Sequence, residues 1–376
     1  LIMQARKLAA AASRRRVQTR ISTAVTRHRV HSSASSSGSG SERGGVHEST
    51  LDAIGNTPII RLRHMAPPGV TVYVKWEAFN PMLSMKDRLS AGLIEWAHAH
   101  GQLDHGKTVV DVISGSSGVG LALACRERDH PLVAVMGNDS AVEWRQLMRF
   151  MGAKVVVADC PETTAAAVAE KHGWFLAAHP RPDANEWIHA HKTGPVILEA
   201  LGPQRLSHFI APHGTGGMLR GVGRILRARS PATRICVVDQ DSRPHVDYEV
   251  MNGPHYSWPA KLMDGWTTDF KPTSIDDASI PYVDDIITIS GHEALRVARE
   301  LASSEGIFTG ISGGALTAGA LRVAREAPKG ACVLTVLLDT SHVHLSTPLL
   351  DGMPTQMSDE EAELAAAGST SKRPHR

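Results

Sequence analysis

The sequence has no apolar run near the roughly 18–20 residues that span a bilayer, which argues against a transmembrane protein. Cysteine is scarce: Cys125, Cys160, Cys236 and Cys332 stand far apart, with no C-x-x-C pair. That leaves reduced, buried thiols as the reading. Basic charge is also short over most of the chain. The formal net charge is +2, but residues 1–45 hold nine basic side chains against one acid and are +8. Residues 46–376 are therefore −6. An acidic body lacks the basic face that nucleic-acid phosphates require, so no nucleic-acid partner and no membrane association are expected. Neither G-x-G-x-x-G nor G-x-x-x-x-G-K-[ST] occurs.

What is present suits a globular chain, with 42% hydrophobic residues and 33 glycines. The Arg, Ala and Ser of residues 1–45, ending in a Ser/Gly run, have the composition of an organelle transit peptide and linker. Mitochondrion is the expected destination, with plastid or cytoplasm as alternatives. After Leu1-Ile2, Met3 is a candidate start. Residues 353–376 read as a polar tail. Ser358 and Glu361 there have capping-box spacing for a short helix.

Between leader and tail, short β-branched runs alternate with helical patterns. Val72–Trp76, Thr108–Ile113, Leu132–Met136, Lys154–Ala158, His208–Ala211, Arg234–Val238 and Cys332–Leu338 read as buried strands. Asp87–His100, Gly118–Arg126, Val142–Met151, Thr163–Lys171, Met218–Arg229, His292–Ser303 and Ala315–Arg325 carry apolar residues at helical spacing. The alternation predicts an α/β protein with two doubly wound domains and mostly parallel sheets, residues 46–178 and 179–352. In such folds ligands sit beyond the carboxyl ends of the strands, so the strand-to-helix turns are the places to search.

Three turns stand out. In Asn80-Pro-Met-Leu-Ser-Met-Lys-Asp-Arg88, Ser84 and Asp87 have the spacing of a capping-box variant. Lys86 then falls in the first helical turn, where a free cation opposes the macrodipole. A lysine there is better explained if its amine is covalently engaged. In Ser114-Gly-Ser-Ser-Gly-Val-Gly120, amides and hydroxyls at a helix start suit a carboxylate or phosphate, although a plain tight turn would look the same. In His213-Gly-Thr-Gly-Gly-Met-Leu219, three glycines let backbone approach a ligand and Thr215 adds a hydroxyl, which favours an anion cradle. The paired His98/His100 and His189/His191 do not face one another at helical spacing. With no three converging ligands argued by spacing, they read as solvated histidines and no metal site is expected.

Order and spacing of these pieces resemble the cysteine synthase (O-acetylserine sulfhydrylase) family within the fold type II pyridoxal-phosphate (PLP) enzymes. The resemblance runs from Ile54-Gly-Asn-Thr-Pro58 through Ser84-Met-Lys-Asp-Arg88 and Gly214-Thr-Gly-Gly217. It continues through Glu305-Gly-Ile-Phe-Thr-Gly-Ile-Ser312 to Asp339-Thr-Ser and Leu345-Ser-Thr-Pro348. It implies PLP in the cleft between the two domains, held covalently by Lys86. Gly214, Thr215, Gly216, Gly217 and Met218 match its phosphate cradle, and Thr340 matches the hydroxyl at the pyridine nitrogen. Ser114, Gly115 and Ser117 match the substrate-carboxylate loop, with Ser116 also facing the cofactor. The implied reaction is β-replacement of O-acetylserine by sulfide through an α-aminoacrylate, giving L-cysteine, with Lys86 as general base. Homodimerisation, and serine acetyltransferase as a candidate partner, are implied in the same way. Other implied activities are a β-cyanoalanine synthase or cystathionine β-synthase type of reaction, or a non-catalytic regulatory role.

The chain departs from the family pattern on the substrate side. The usual Thr-Ser-Gly-Asn-Thr reads Ile113-Ser-Gly-Ser-Ser117, and Met218 stands for a Thr. Met82-Leu83 replace small residues before the lysine, and Ser341-His-Val-His344 replaces Gly-Glu-Arg-Tyr.

Overall fold

The computed structural model describes residues 46–376 except 114, 141, 179–180, 203–204, 213, 241–277, 345–346 and 369–376. The leader, Ser114 and His213 therefore lie outside the described residues. The strands are β1 (Ile59–Arg61), β2 (Thr71–Trp76), β3 (Val109–Val112), β4 (Leu132–Gly137), β5 (Lys154–Ala158), β6 (Phe175–Leu176), β7 (His208–Pro212), β8 (Arg234–Gln240), β9 (Asp285–Ile289) and β10 (Cys332–Leu337). The helices are α1 (Lys86–Ala99), α2 (Ser116–Glu127), α3 (Val142–Phe150), α4 (Pro161–His172), α5 (Pro182–Ile188), α6 (Gly194–Leu201), α7 (Gly217–Arg229), α8 (Gly291–Glu300), α9 (Ile311–Glu326) and α10 (Asp359–Gly368). Every strand and helix expected from the sequence is present, with ends shifted by a few residues.

Two sheets result, of order β5-β4-β3-β6 and β1-β2-β10-β7-β8-β9. Among the described strands all pairs are parallel except β1–β2. Both faces of each sheet are covered, as the continuous apolar strands require. Along β10, Val333 and Leu337 pack with α8 and α9, through Ala294, Val297, Ala315 and Leu316. The alternate residues Cys332, Leu334 and Val336 pack with α6 and α7, through Leu198, Leu219 and Val222. The four-stranded sheet is covered by α1, α2 and Met148 of α3 on one face, and by Ala165 and Ala169 of α4 on the other.

Sheet membership does not follow chain order. A cut after residue 178 crosses the six-stranded sheet, because β2 pairs along its length with β10, Cys332 opposite Thr71 to Leu337 opposite Trp76. The elements missed in the sequence are short or atypical: β1, β6, β9 and the α5–α6 region. Between α5 and α6 the backbone widens into a π-helical turn, His189–Thr193, a local feature frequent at functional sites. The expected tail helix is present, with Ser358 Oγ accepting from Glu361 N and Glu361 Oε2 accepting from Ser358 N. Three cysteines are buried as expected, whereas Cys160 is exposed. Burial pushes the Cys125 thiol up to about 12, which makes it unreactive.

Candidate active site

Lys86 is the first residue of α1. The expected capping box is not formed. Ser84 Oγ accepts from Lys86 N at 3.2 Å, and Asp87 turns back so that Oδ2 accepts from Met82 N at 2.6 Å. The proline turn forces this, since its backbone brings Met82 N to the helix start ahead of Ser84. The helix start is pinned to the end of β10 by Met85 N donating to the Leu338 carbonyl at 2.8 Å, directly before Asp339-Thr340. Burial holds the Lys86 amine below the usual lysine range, and the Asp339 carboxylate opposes this in part. A lysine so depressed has more of the neutral amine that a Schiff base or a general base requires.

The second turn reaches the same place. Gly115 enters α2 with φ 73°, in the left-handed region, and Ser116 and Ser117 are the first helical residues, both half-buried. Ser90 Oγ of α1 donates to the Ser117 carbonyl at 3.4 Å. A Cβ on Gly120 would lie 3.1 Å from the Lys86 carbonyl oxygen, so the glycine sets how closely α2 approaches the lysine. The opposite end of α2 borders an open surface concavity of about 390 Å³, lined by Cys125, Arg126, His130 and Phe150. None of the candidate residues lines it.

The third turn also has a cradle's geometry. Gly216 caps α7 in the left-handed conformation, φ 73°. The first-turn amides of a 13-residue helix, which have no acceptor within the helix, follow. Beyond Gly214 a Cβ would meet nothing within 4 Å, so the loop opens onto space. Thr215 Oγ1 accepts from Asn185 Nδ2 at 2.8 Å, which leaves its O–H to donate elsewhere. Met218 packs its side chain into the core and offers only backbone, as the loss of the family's Thr implies. Thr340 is buried, with Oγ1 at 3.1 Å from His342 Nδ1.

Several residues were not singled out in the sequence. The buried Arg220 guanidinium flanks the cradle, donating to the Thr215 carbonyl at 3.4 Å and to Ser279 Oγ at 3.2 Å. A signal for it existed: it is a cation in the first turn of α7, anomalous by the same macrodipole reasoning that marked Lys86. Asn185 fills the space a Cβ on Gly217 would need, and its Oδ1 is buried with no hydrogen-bond partner. His189, expected in solvent, is fully buried, and burial and the nearby Arg88 push it down to about 3, so it is neutral. His98 is not simply solvated either: its Nε2 lies 2.9 Å from Nε2 of the buried His130, with ring centroids 5.0 Å apart. That near-collinear arrangement is a hydrogen-bonded imidazole pair. Among the described residues no group of three His, Cys, Asp or Glu side chains could hold a metal ion.

An anionic, aldehyde-bearing cofactor fits this set. There is a depressed lysine amine, a helix N-terminus with a glycine cradle braced by a guanidinium, and a buried hydroxyl two residues past the strand end bonded to the lysine's helix.

The comparisons with known proteins agree. Residues 50–339 match the family described as pyridoxal-phosphate dependent enzyme. The chain is 38% identical over 320 residues to O-ureido-L-serine synthase of Streptomyces lavendulae, covering 84% of this chain and 96% of that protein. The crystal structure of an O-ureido-L-serine synthase superposes with a TM-score of 0.74 over 85% of this chain and 100% of that one. Cysteine synthase of Staphylococcus aureus is 34% identical over 303 residues, covering 79% of this chain and 94% of that protein. An O-acetylserine dependent cystathionine beta-synthase from Helicobacter pylori has a TM-score of 0.68 at 28% identity, over 81% of this chain and 98% of that one. The chain belongs to the pyridoxal-phosphate dependent enzymes, fold type II, within the cysteine synthase-like group, and its cofactor is PLP.

Proposed function

We propose that the protein catalyses β-replacement on O-acetyl-L-serine, expelling acetate and adding sulfide at the β-carbon to give L-cysteine. The observation that carries this reading is the meeting of the Lys86 helix start with the end of β10, through the Met85–Leu338 hydrogen bond. That contact brings the burial-depressed amine, which feels the Asp339 carboxylate, to the strand end that leads into the buried Thr340. PLP, when bound, supplies the electron sink for carbanion chemistry. The chain's residues supply the rest. Lys86 Nζ is the covalent anchor and takes the proton from the substrate Cα. The amides of Gly214–Met218 hold a phosphate dianion at the N-terminus of α7, and Arg220, paired with Glu186 at 3.6 Å, braces the loop through the Thr215 carbonyl. The hydroxyls and amides of Gly115, Ser116 and Ser117 receive the substrate carboxylate. Thr340, a neutral partner for the pyridine nitrogen, keeps the sink weak and so favours loss of a β leaving group.

A second reading has its own support. The similarity to O-ureido-L-serine synthase favours O-ureido-L-serine as product, with the hydroxyl of hydroxyurea as nucleophile. The test is to give purified protein O-acetyl-L-serine with sulfide or with hydroxyurea, and to quantify acetate and both amino-acid products by mass spectrometry. A dominant cysteine product supports the first reading, and a dominant O-ureido-L-serine product replaces it with the second. Failure to release acetate with either nucleophile sinks both. Homodimerisation belongs to the same proposal, and sedimentation of the holoenzyme tests it.

A further inference from the structure

Four non-glycine residues among those described have positive φ: Asn56, Leu83, Asp129 and Ala178. Asn and Asp tolerate this region, because their short polar side chains bond locally. Leu83, with φ 65°, does not. Its γ-branched side chain is strained there, and it remains 43% exposed, so burial does not offset the strain.

The surroundings impose the conformation. Leu83 N donates to the Asn80 carbonyl at 2.9 Å, closing a turn with Pro81 inside it. Asn80 is fixed at the base of that turn. Its Nδ2 donates to the Glu77 carbonyl and to Glu77 Oε2, and its Oδ1 accepts from Gly55 N. Glu77 is held in turn by the Arg88 guanidinium at 2.6 Å and by the Thr57 hydroxyl. On the other side, Met82 N donates to Asp87. A buried polar frame thus holds the turn at both ends and keeps Leu83 left-handed, three residues before Lys86. Phe79, 53% exposed, precedes the same turn, so two large exposed apolar side chains flank the turn that leads into the Lys86 helix.

We propose that Leu83 is a specificity-determining residue: an apolar wall at the entrance to the Lys86 site that limits the size of the incoming nucleophile. The inference rests on the β-replacement reading above. It explains why a strained leucine stands where a glycine would sit without strain. A wall of this kind leaves departure of the small acetate unaffected and rejects second substrates larger than sulfide.

The test compares the wild-type holoenzyme with Leu83→Gly and Leu83→Ala. Acetate release from O-acetyl-L-serine without nucleophile should stay within about twofold, since removing an exposed side chain leaves the lysine frame intact. The ratio of kcat/KM for a bulky thiol such as 2-mercaptoethanol to that for sulfide should rise about tenfold or more in both variants, the scale of a change in pocket size. Leu83→Gly alone should also melt at a higher temperature than Leu83→Ala, because only glycine relieves the left-handed strain. An unchanged selectivity ratio in both variants overturns the proposal. A changed oligomeric state with unchanged selectivity also overturns it and assigns Leu83 to a subunit contact. If the wild type releases no acetate, the β-replacement reading itself has failed, and the proposal falls with it for a distinguishable reason.

Discussion

Asp87 gives the most exacting test of the physics around Lys86. Its carboxyl is fully buried, with Oδ2 accepting from Met82 N and Oδ1 without a partner. Burial, reinforced by the nearby Glu77 carboxylate, pushes it up to about 7 against the partial opposition of the Met82 amide and Arg88. A carboxyl raised on folding contributes stability that is present below its unfolded value near 3.8 and is lost as pH rises through about 7. Between pH 5 and pH 8 that loss comes to about 2.5 kcal/mol. Asp87→Asn keeps an acceptor for Met82 N and does not titrate. Its stability relative to wild type should therefore improve by about 2.5 kcal/mol from pH 5 to pH 8, or roughly 4 °C in relative Tm for a body of this size. The Lys86 titration is common to both proteins and cancels in the difference. Differential scanning calorimetry at pH 5, 6.5 and 8 measures it. A gap between variant and wild type that does not change with pH would refute the reasoning and show that Asp87 stays ionised in the fold.

The other predictions concern the same frame. Glu77→Gln should destabilise the protein by about 3–5 kcal/mol at pH 7, because it removes the carboxylate that compensates the buried Arg88 and Lys75. Burial alone would raise Glu77, but Arg88 and Lys75 outweigh it and hold it at about 2. Its stabilisation is therefore present above about 4.5 and lost as pH falls towards 2, so acid titration of stability should be shallower in the variant. Lys86→Ala should abolish the visible absorbance of covalently held PLP while leaving far-ultraviolet circular dichroism unchanged. A retained band would show that another lysine holds the cofactor. Gly217→Ala puts a Cβ 2.1–2.5 Å from the Asn185 carboxamide, and should weaken PLP binding at least tenfold by equilibrium dialysis.

The α/β alternation was readable because each buried strand is a short β-branched run and each helix has its own apolar stripe. His208–Pro212 followed by Gly217–Arg229 shows both the period change and the glycines between. Lys86 was readable through a local anomaly, a cation at a helix start. Arg220 has the same anomaly but was hidden by the glycine motif beside it. Asn185 was given no role by its sequence, and His189 was read there only as one of a solvated pair. They lie on α5 and a π-helical turn, and their roles come from contacts with residues distant in sequence, Thr215 and Gly217 for one and the Lys86–Arg88 neighbourhood for the other.

The sequence by itself determined which turns are candidates for chemistry, since glycine spacing, helix-start residues and the lysine are local properties of the chain. Tertiary structure decided which residues are charged and which are neutral. The desolvation that depresses Lys86, raises Asp87 and neutralises His189 comes from elements packed over them. Tertiary structure also decided that Leu83 is strained. A left-handed leucine is imposed by Glu77, Asn80, Arg88 and Asp87 together, and no local propensity of the segment would choose it.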